Sequence, residues 1–85
     1  MERIETTILR NLVFNEDFSR KVIPFIEPDY FEERKEKIIF EEVTKFIVKY
    51  NSAISIEALN IEIENRTDLN ESEIKETRDV SNTLH

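Results

Sequence analysis

The side chains that could do chemistry in this 85-residue chain are almost all carboxylates. It has 19 Asp and Glu residues, no cysteine, and one histidine, His85, at the last position. Without cysteine there is no thiolate nucleophile, and a single terminal histidine gives no ordered Ser–His–Asp or Cys–His arrangement. Two carboxylates could act as a general acid and base, but so many acids give close pairs by chance. We interpret Glu57, Glu62 and Glu64 as the solvated face of a helix, and we predict no catalytic or metal-binding residue.

The chain also contains no glycine, where average usage would give about six. A phosphate-binding loop brings backbone N–H groups close to its ligand at residues that lack a Cβ atom. An EF-hand calcium loop likewise needs a glycine at its sharp turn. The chain therefore has no glycine-rich phosphate loop, and we expect no bound cofactor in these 85 residues.

The net charge of −7 disfavours direct binding to nucleic acid, because affinity for phosphates comes from Lys and Arg. The basic residues between positions 34 and 49 alternate with glutamates, which is typical of a salt-bridged helix face. A helix-turn-helix is a structural alternative. Its recognition helix would be Ile56–Asn65, which has three acids and no base, so phosphates would repel it.

Apolar residues at helical spacing predict an all-α fold, a small globular bundle of about five helices in a single domain, 1–85. The strongest stripe is on a central helix and includes Ile39, Val43, Phe46, Ile47 and Tyr50. A turn or single helical turn is expected over Glu27–Phe31. The five predicted helices are approximately Glu2–Val13, Glu16–Ile23, Glu32–Tyr50, Ile56–Asn65 and 71–85.

Polar residues mark where three of these helices begin. Asn15, Ser55 and Asn70 are predicted N-caps, with Glu73 completing a capping box for the last helix. Pro24 should end or kink the second helix. The last helix has no C-capping residue and is predicted to run to His85, which suggests that the chain is a fragment of a longer protein.

Four apolar residues lie outside the main apolar stripes of the predicted helices and are candidates for a protein interface. They are Val13, Ile38, Val48 and Ile61. Exposed apolar residues are normal when they occur singly, so a wider core or ordinary scatter would explain any one of them equally well.

Several segments resemble the N-terminal domain of DnaB-type hexameric replicative helicases. Glu5–Val13 is similar to its first helix, and Phe31 with Ile38–Glu41 to the stretch that follows. Further segments resemble the T-even-type phage members, in the same order over about residues 5–84: Leu12–Phe14, Lys21–Pro24, Tyr30–Glu32, Tyr50–Ser52 and Ser55–Asn60. Asn51 lies near the position, in the turn after the central helix, where bacterial members usually have a glycine.

The resemblance implies a collar domain on a hexameric ring, with primase and a helicase-loading protein as partners, in the cytoplasm of the host cell and without contact to a membrane. ATP and Mg²⁺ would be bound by a separate C-terminal motor domain, which would also be the part that contacts DNA. Two alternatives remain open: a free-standing acidic helical adaptor that regulates a partner, and an enzyme that uses paired carboxylates.

We predict that the 85-residue chain has no ATPase activity and negligible affinity for DNA at physiological salt. The reasons are the missing phosphate loop and the charge of −7. Fluorescence anisotropy with labelled single- and double-stranded DNA checks the second point, and sub-micromolar binding would contradict it.

Overall fold

The computed structural model describes residues 3–84, which contain five α-helices and no strand. Two short 3₁₀ turns, Ile23–Phe25 and Pro28–Tyr30, connect the second helix to the third. The predicted all-α bundle is therefore confirmed. The helices are α1 (Ile4–Phe14), α2 (Glu16–Val22), α3 (Arg34–Tyr50), α4 (Ile56–Glu64) and α5 (Glu71–Asn82).

Helix α3 is the centre of the bundle, because α1, α4 and α5 each pack against it, while α2 packs on α1. Phe31, just before α3, is fully buried, and its ring centre lies 5.3 Å from that of Phe40. The core is one continuous cluster of apolar side chains drawn from the described helices and the segments between them: Leu9, Leu12, Val13, Phe31, Ile38, Ile39, Phe40, Val43, Ile54, Leu59, Ile63 and Leu84.

All three predicted N-caps are confirmed. The Asn15 side chain accepts a hydrogen bond from the backbone N–H of Phe18, and the Ser55 hydroxyl accepts one from Ala58, each at 3.1 Å. Asn70 and Glu73 form the reciprocal capping box, at 2.8 and 3.1 Å. These bonds satisfy backbone donors that would otherwise have no partner at a helix start.

Proline also acts as predicted. Pro24 lies in the 3₁₀ turn that directly follows α2, and Pro28 begins the single turn before Phe31. The fixed φ angle of proline suits the first position of a turn, whereas its missing N–H ends the α-helical pattern.

The last helix does not run to His85. Helix α5 ends at Asn82, with Thr83 as its C-cap. The physical reason is that Leu84 turns back into the core, where it is fully buried. Its carbonyl accepts a hydrogen bond of 3.0 Å from Nε of Arg10 on α1. His85 and Glu2, the predicted start of the first helix, lie outside the described residues.

Two aromatic residues of the predicted central stripe are less buried than the pattern indicates. Phe46 is partly buried, and Tyr50 is 56% exposed. Both lie on the C-terminal half of α3, where the helix extends past the centre of the core. The start of α3 is two residues later than predicted, at Arg34.

Asn51 ends α3 in the left-handed conformation, with φ of 54° and ψ of 34°. Its N–H donates to the carbonyl of Ile47 at 2.8 Å, and its carbonyl accepts from Arg20 at 2.7 Å. Among residues 3–84 it is the one position with positive φ. Asparagine tolerates this region better than other residues with a Cβ atom, which explains how a chain without glycine makes this turn.

We expect Asn51→Gly to raise the free energy of unfolding by about 0.5–1 kcal/mol, because glycine has no steric penalty at positive φ. Asn51→Ala should lower it by a similar amount. Urea denaturation monitored by circular dichroism measures both. The matched control is Ser52→Gly at the adjacent exposed position, where glycine brings no conformational benefit. Equal stabilisation by the two glycine variants would contradict the role given to Asn51.

Candidate protein-docking surface

The structure separates the four predicted interface residues into two pairs. Val13 and Ile38 are buried in the core, whereas Val48 is 76% exposed and Ile61 is 55% exposed. Exposure was therefore wrongly predicted for Val13 and Ile38. The reason is that α1 packs against both α2 and α3, and α3 packs on three sides, so the buried faces are wider than one stripe. An interface role for Val48 and Ile61 stays a prediction.

A concave surface with two aromatic and four charged residues in its lining lies between the C-terminal half of α3 and α4. We call it the α3–α4 groove; its volume is about 210 Å³. It is lined by Glu42, Lys45, Phe46, Lys49, Tyr50 and Glu62. Sequence reasoning missed it, because it depends on how closely α4 approaches α3 and has no signal in either helix alone.

Two aromatic rings form the apolar part of the groove. The ring centres of Phe46 and Tyr50 are 4.6 Å apart, and the amine of Lys49 lies 5.2 Å from the centre of the Tyr50 ring. A tilted ring pair of this kind contributes about 0.5–1.5 kcal/mol, and an exposed cation–π contact about 0.5–1 kcal/mol. The three side chains therefore support one another, and Tyr50 is presented to solvent in a defined position.

The groove opens into a polar depression of about 450 Å³ beside it. The two share Glu42, Lys45 and Glu62. The far side of the depression is the connection between α4 and α5, with Asn65, Arg66, Thr67 and Asp68. One continuous surface thus runs from an aromatic groove to a charged depression.

A cluster of ion pairs holds this surface together. Glu42 is only 2% exposed, and its carboxylate pairs with Lys45 at 3.1 Å and with Arg66 at 3.6 Å. Arg66 also binds Asp68 through two parallel hydrogen bonds of 3.0 and 2.8 Å, and Glu41 at 3.2 Å. The bond from Arg66 lowers the pKa of Asp68 to about 2, so this carboxylate remains ionised in mildly acidic solution.

A second buried carboxylate, Glu36, lies nearer the start of α3. It pairs with Arg3 at 3.1 Å, and Arg3 also binds Glu5 and Glu33, at 3.0 and 3.2 Å. Burial raises the pKa of Glu36 above its ordinary value. The folded state thus favours the protonated acid, and this contribution to stability is lost as the pH rises through the folded pKa.

The burial of Glu36 and Glu42 was not predicted, because a glutamate among lysines on a helix indicates a solvated face. One signal was present: Glu42 lies three residues from Ile39 and four from Phe46, at the spacing of the buried face. The solvated interpretation is confirmed for Glu57 and Glu64, which are exposed, whereas Glu62 is half-buried in the groove.

Residues 3–84 contain neither a metal-binding cluster nor a membrane-spanning helix. No cluster of three or more His, Cys, Asp or Glu side chains in this part of the chain could hold a metal ion. Nor does any helix there have the length and apolar content needed to cross a bilayer. An aromatic centre with flanking charges is an arrangement that is typical of protein interfaces.

The chain is similar to a known protein. The chain is 36% identical over 58 residues, or 68% of its length, to a DnaB-like replicative helicase of Enterobacteria phage T4. It spans only about 12% of the length of that relative. No protein-family model and no solved structure matches the chain. The similarity suggests a helicase-related role.

We predict that Arg66→Met lowers the free energy of unfolding by about 1–3 kcal/mol, because it leaves the buried Glu42 with Lys45 alone and removes the paired bonds to Asp68. The matched control is Arg78→Met, since Arg78 forms a half-exposed pair with Glu64 at 2.9 Å. Its loss should cost less than about 1 kcal/mol. Denaturant titration compares the two, and equal losses would show that Arg66 has no special role.

Proposed function

We propose that this chain is the N-terminal assembly and partner-docking domain of a phage replicative DNA helicase. The observation that carries the proposal is the 36% identity over 58 residues to the T4 helicase. In this proposal the chain is part of the collar of a hexameric ring, where it stabilises the ring and docks primase or a helicase-loading protein. ATP hydrolysis and DNA translocation belong to a motor domain elsewhere in the protein.

The physical properties of the chain support a docking role. An acidic surface with a charge of −7 disfavours a direct role in DNA binding. A chain without glycine has no glycine-rich phosphate loop for ATP. By contrast, the α3–α4 groove presents exposed aromatic surface flanked by charges, and residues of this kind account for much of the binding energy in protein interfaces.

The proposal is tested in the natural gene and its product. We expect the reading frame to continue past codon 85 and to encode a G-x-x-x-x-G-K-[ST] phosphate loop. In that full-length protein, deletion of residues 1–85 should weaken the ring in sedimentation experiments and abolish stimulation by primase, while ATP binding by the motor persists.

Two outcomes would contradict the proposal. A stop codon directly after His85 would instead favour the free-standing acidic adaptor. A deletion variant that assembles and responds to primase like the intact protein would show that the chain has no assembly or docking role. The control is substitution of the lysine in the phosphate loop, which should remove ATP hydrolysis. In that background, deletion of residues 1–85 should still weaken the ring.

A further inference from the structure

A group of charged side chains, which we call the Arg3 cluster, connects the start of α1 to the start of α3. Its members are Arg3, Glu5, Glu33 and Glu36. The guanidinium of Arg3 lies 3.0 Å from Glu5, and 3.2 Å and 3.1 Å from Glu33 and Glu36. One positive charge is therefore shared by three carboxylates, and the cluster as a whole is negative.

The first turn of α1 has few buried contacts of its own. Arg3 takes the N-cap position without a capping hydrogen bond from its side chain, and Ile4 is 64% exposed. Within the described part of α1, no residue before Leu9 is buried. A helix end of this kind opens more readily than the core, so the ion pairs from Arg3 to α3 decide how firmly it is held.

Glu36 differs from the other two carboxylates because it is only 2% exposed. Its Oε2 atom accepts a hydrogen bond from Arg3, whereas its buried Oε1 atom has no hydrogen-bond partner among residues 3–84. An ionised carboxylate with an unsatisfied buried oxygen is unfavourable. Carboxylates that share one site also hold a proton more strongly than a single one does. Glu36 is therefore the member of the cluster that takes up a proton most easily.

The charged groups that face Glu36 agree with this assignment. Burial raises the pKa of Glu36, and the like charges of Glu33 and Glu5 act in the same direction. The positive charge of Arg3 opposes them. Glu32 adds a further negative charge beside Arg3. The balance favours the protonated acid in the folded state.

The other charged side chains near the start of α3 have partners elsewhere. Lys35 lies 3.8 Å from Glu33, and Asp29 of the preceding turn lies 3.9 Å from Lys37. Among residues 3–84, no side chain of α4 or α5 forms an ion pair with Glu36. The proton affinity of this carboxylate is thus set by its burial and by the charges at the starts of α1 and α3.

We propose that the Arg3 cluster is an acid-stabilised latch, in which a proton on Glu36 fastens the first turn of α1 to α3 and loss of that proton loosens it. Opening of the turn exposes Glu36 to water, where its ionised form is no longer penalised. The closed state therefore binds more protons than the open state, and it is favoured as the pH falls. The latch is a property of this domain alone and does not depend on the proposed helicase role.

The ion pairs around Arg66 respond to pH in a different range. The hydrogen bond from Arg66 lowers the pKa of Asp68 to about 2, so that pair is lost only in strong acid. It remains intact in mildly acidic and mildly alkaline solution. A pH-dependent change at the start of α1 in that range is therefore assigned to the Arg3 cluster.

The first test is an NMR titration of the side-chain carboxyl carbons in the 85-residue chain. We expect the midpoint for Glu36 to lie above the ordinary glutamate value of about 4.3. Glu33→Gln should lower this midpoint, because it removes a like charge beside Glu36. A midpoint at or below the ordinary value in the unmodified chain would overturn the inference.

The second test is amide hydrogen exchange, corrected for the intrinsic effect of pH on the exchange rate. The N–H of Thr7 bonds to the carbonyl of Arg3 at 3.2 Å. Relative to Val43 in the core of α3, its protection should fall at least about threefold between about pH 5 and about pH 8. Glu36→Gln, which resembles the protonated acid, should keep this turn protected at both pH values.

The matched control is Glu57→Gln on α4, where the same change of charge is made at an exposed side chain. It should leave the pH response of Thr7 as it is in the unmodified chain. Equal changes in Thr7 and Val43, or a Glu36→Gln variant with the full pH response, would show that Glu36 does not operate a latch. If Glu36→Gln failed to fold, the titrations of the unmodified chain and of Glu33→Gln would still decide.

Discussion

Burial of one face of α3 is the constraint on which the rest of the structure depends. Ile39 and Val43 on this face are almost inaccessible to solvent, and α1, α4 and α5 each cover part of it. The distance between α3 and α4 is set by this packing, so the groove between them is also fixed by it. A large-to-small substitution at Val43 would therefore disturb the surface as well as the core.

Much of the fold is predictable because its signals are local. Each N-cap depends on a side chain that bonds to the backbone three residues later, and each helix shows its apolar spacing in its own sequence. The end of α5 is different. Leu84 is held by the core and its carbonyl by Arg10, a contact between residues 74 positions apart, which no local pattern reveals.

Less of the candidate surface is predictable. The number of neighbours that a helix acquires decides whether an off-stripe residue such as Val13 or Ile38 is buried, and this is a property of the whole bundle. The same holds for Glu42, whose buried carboxylate pairs with Arg66 from the connection between α4 and α5. The resemblance to replicative helicases depends on short segments that occur in the same order along the chain. The chain is similar to one such helicase over 58 residues. Of the six residues that line the groove, Tyr50 alone lies in those segments.

The missing glycines have a consequence for the unfolded chain. Glycine increases the number of conformations that an unfolded polypeptide can adopt, and each replacement by another residue at a compatible position is worth about 0.4–1 kcal/mol. A domain of 85 residues has a limited core, so a smaller entropy of unfolding is a relevant contribution. The local cost of having no glycine is found at Asn51, the one residue among 3–84 with a positive φ. The domain is thus stabilised partly because its unfolded chain, without glycine, has fewer conformations available.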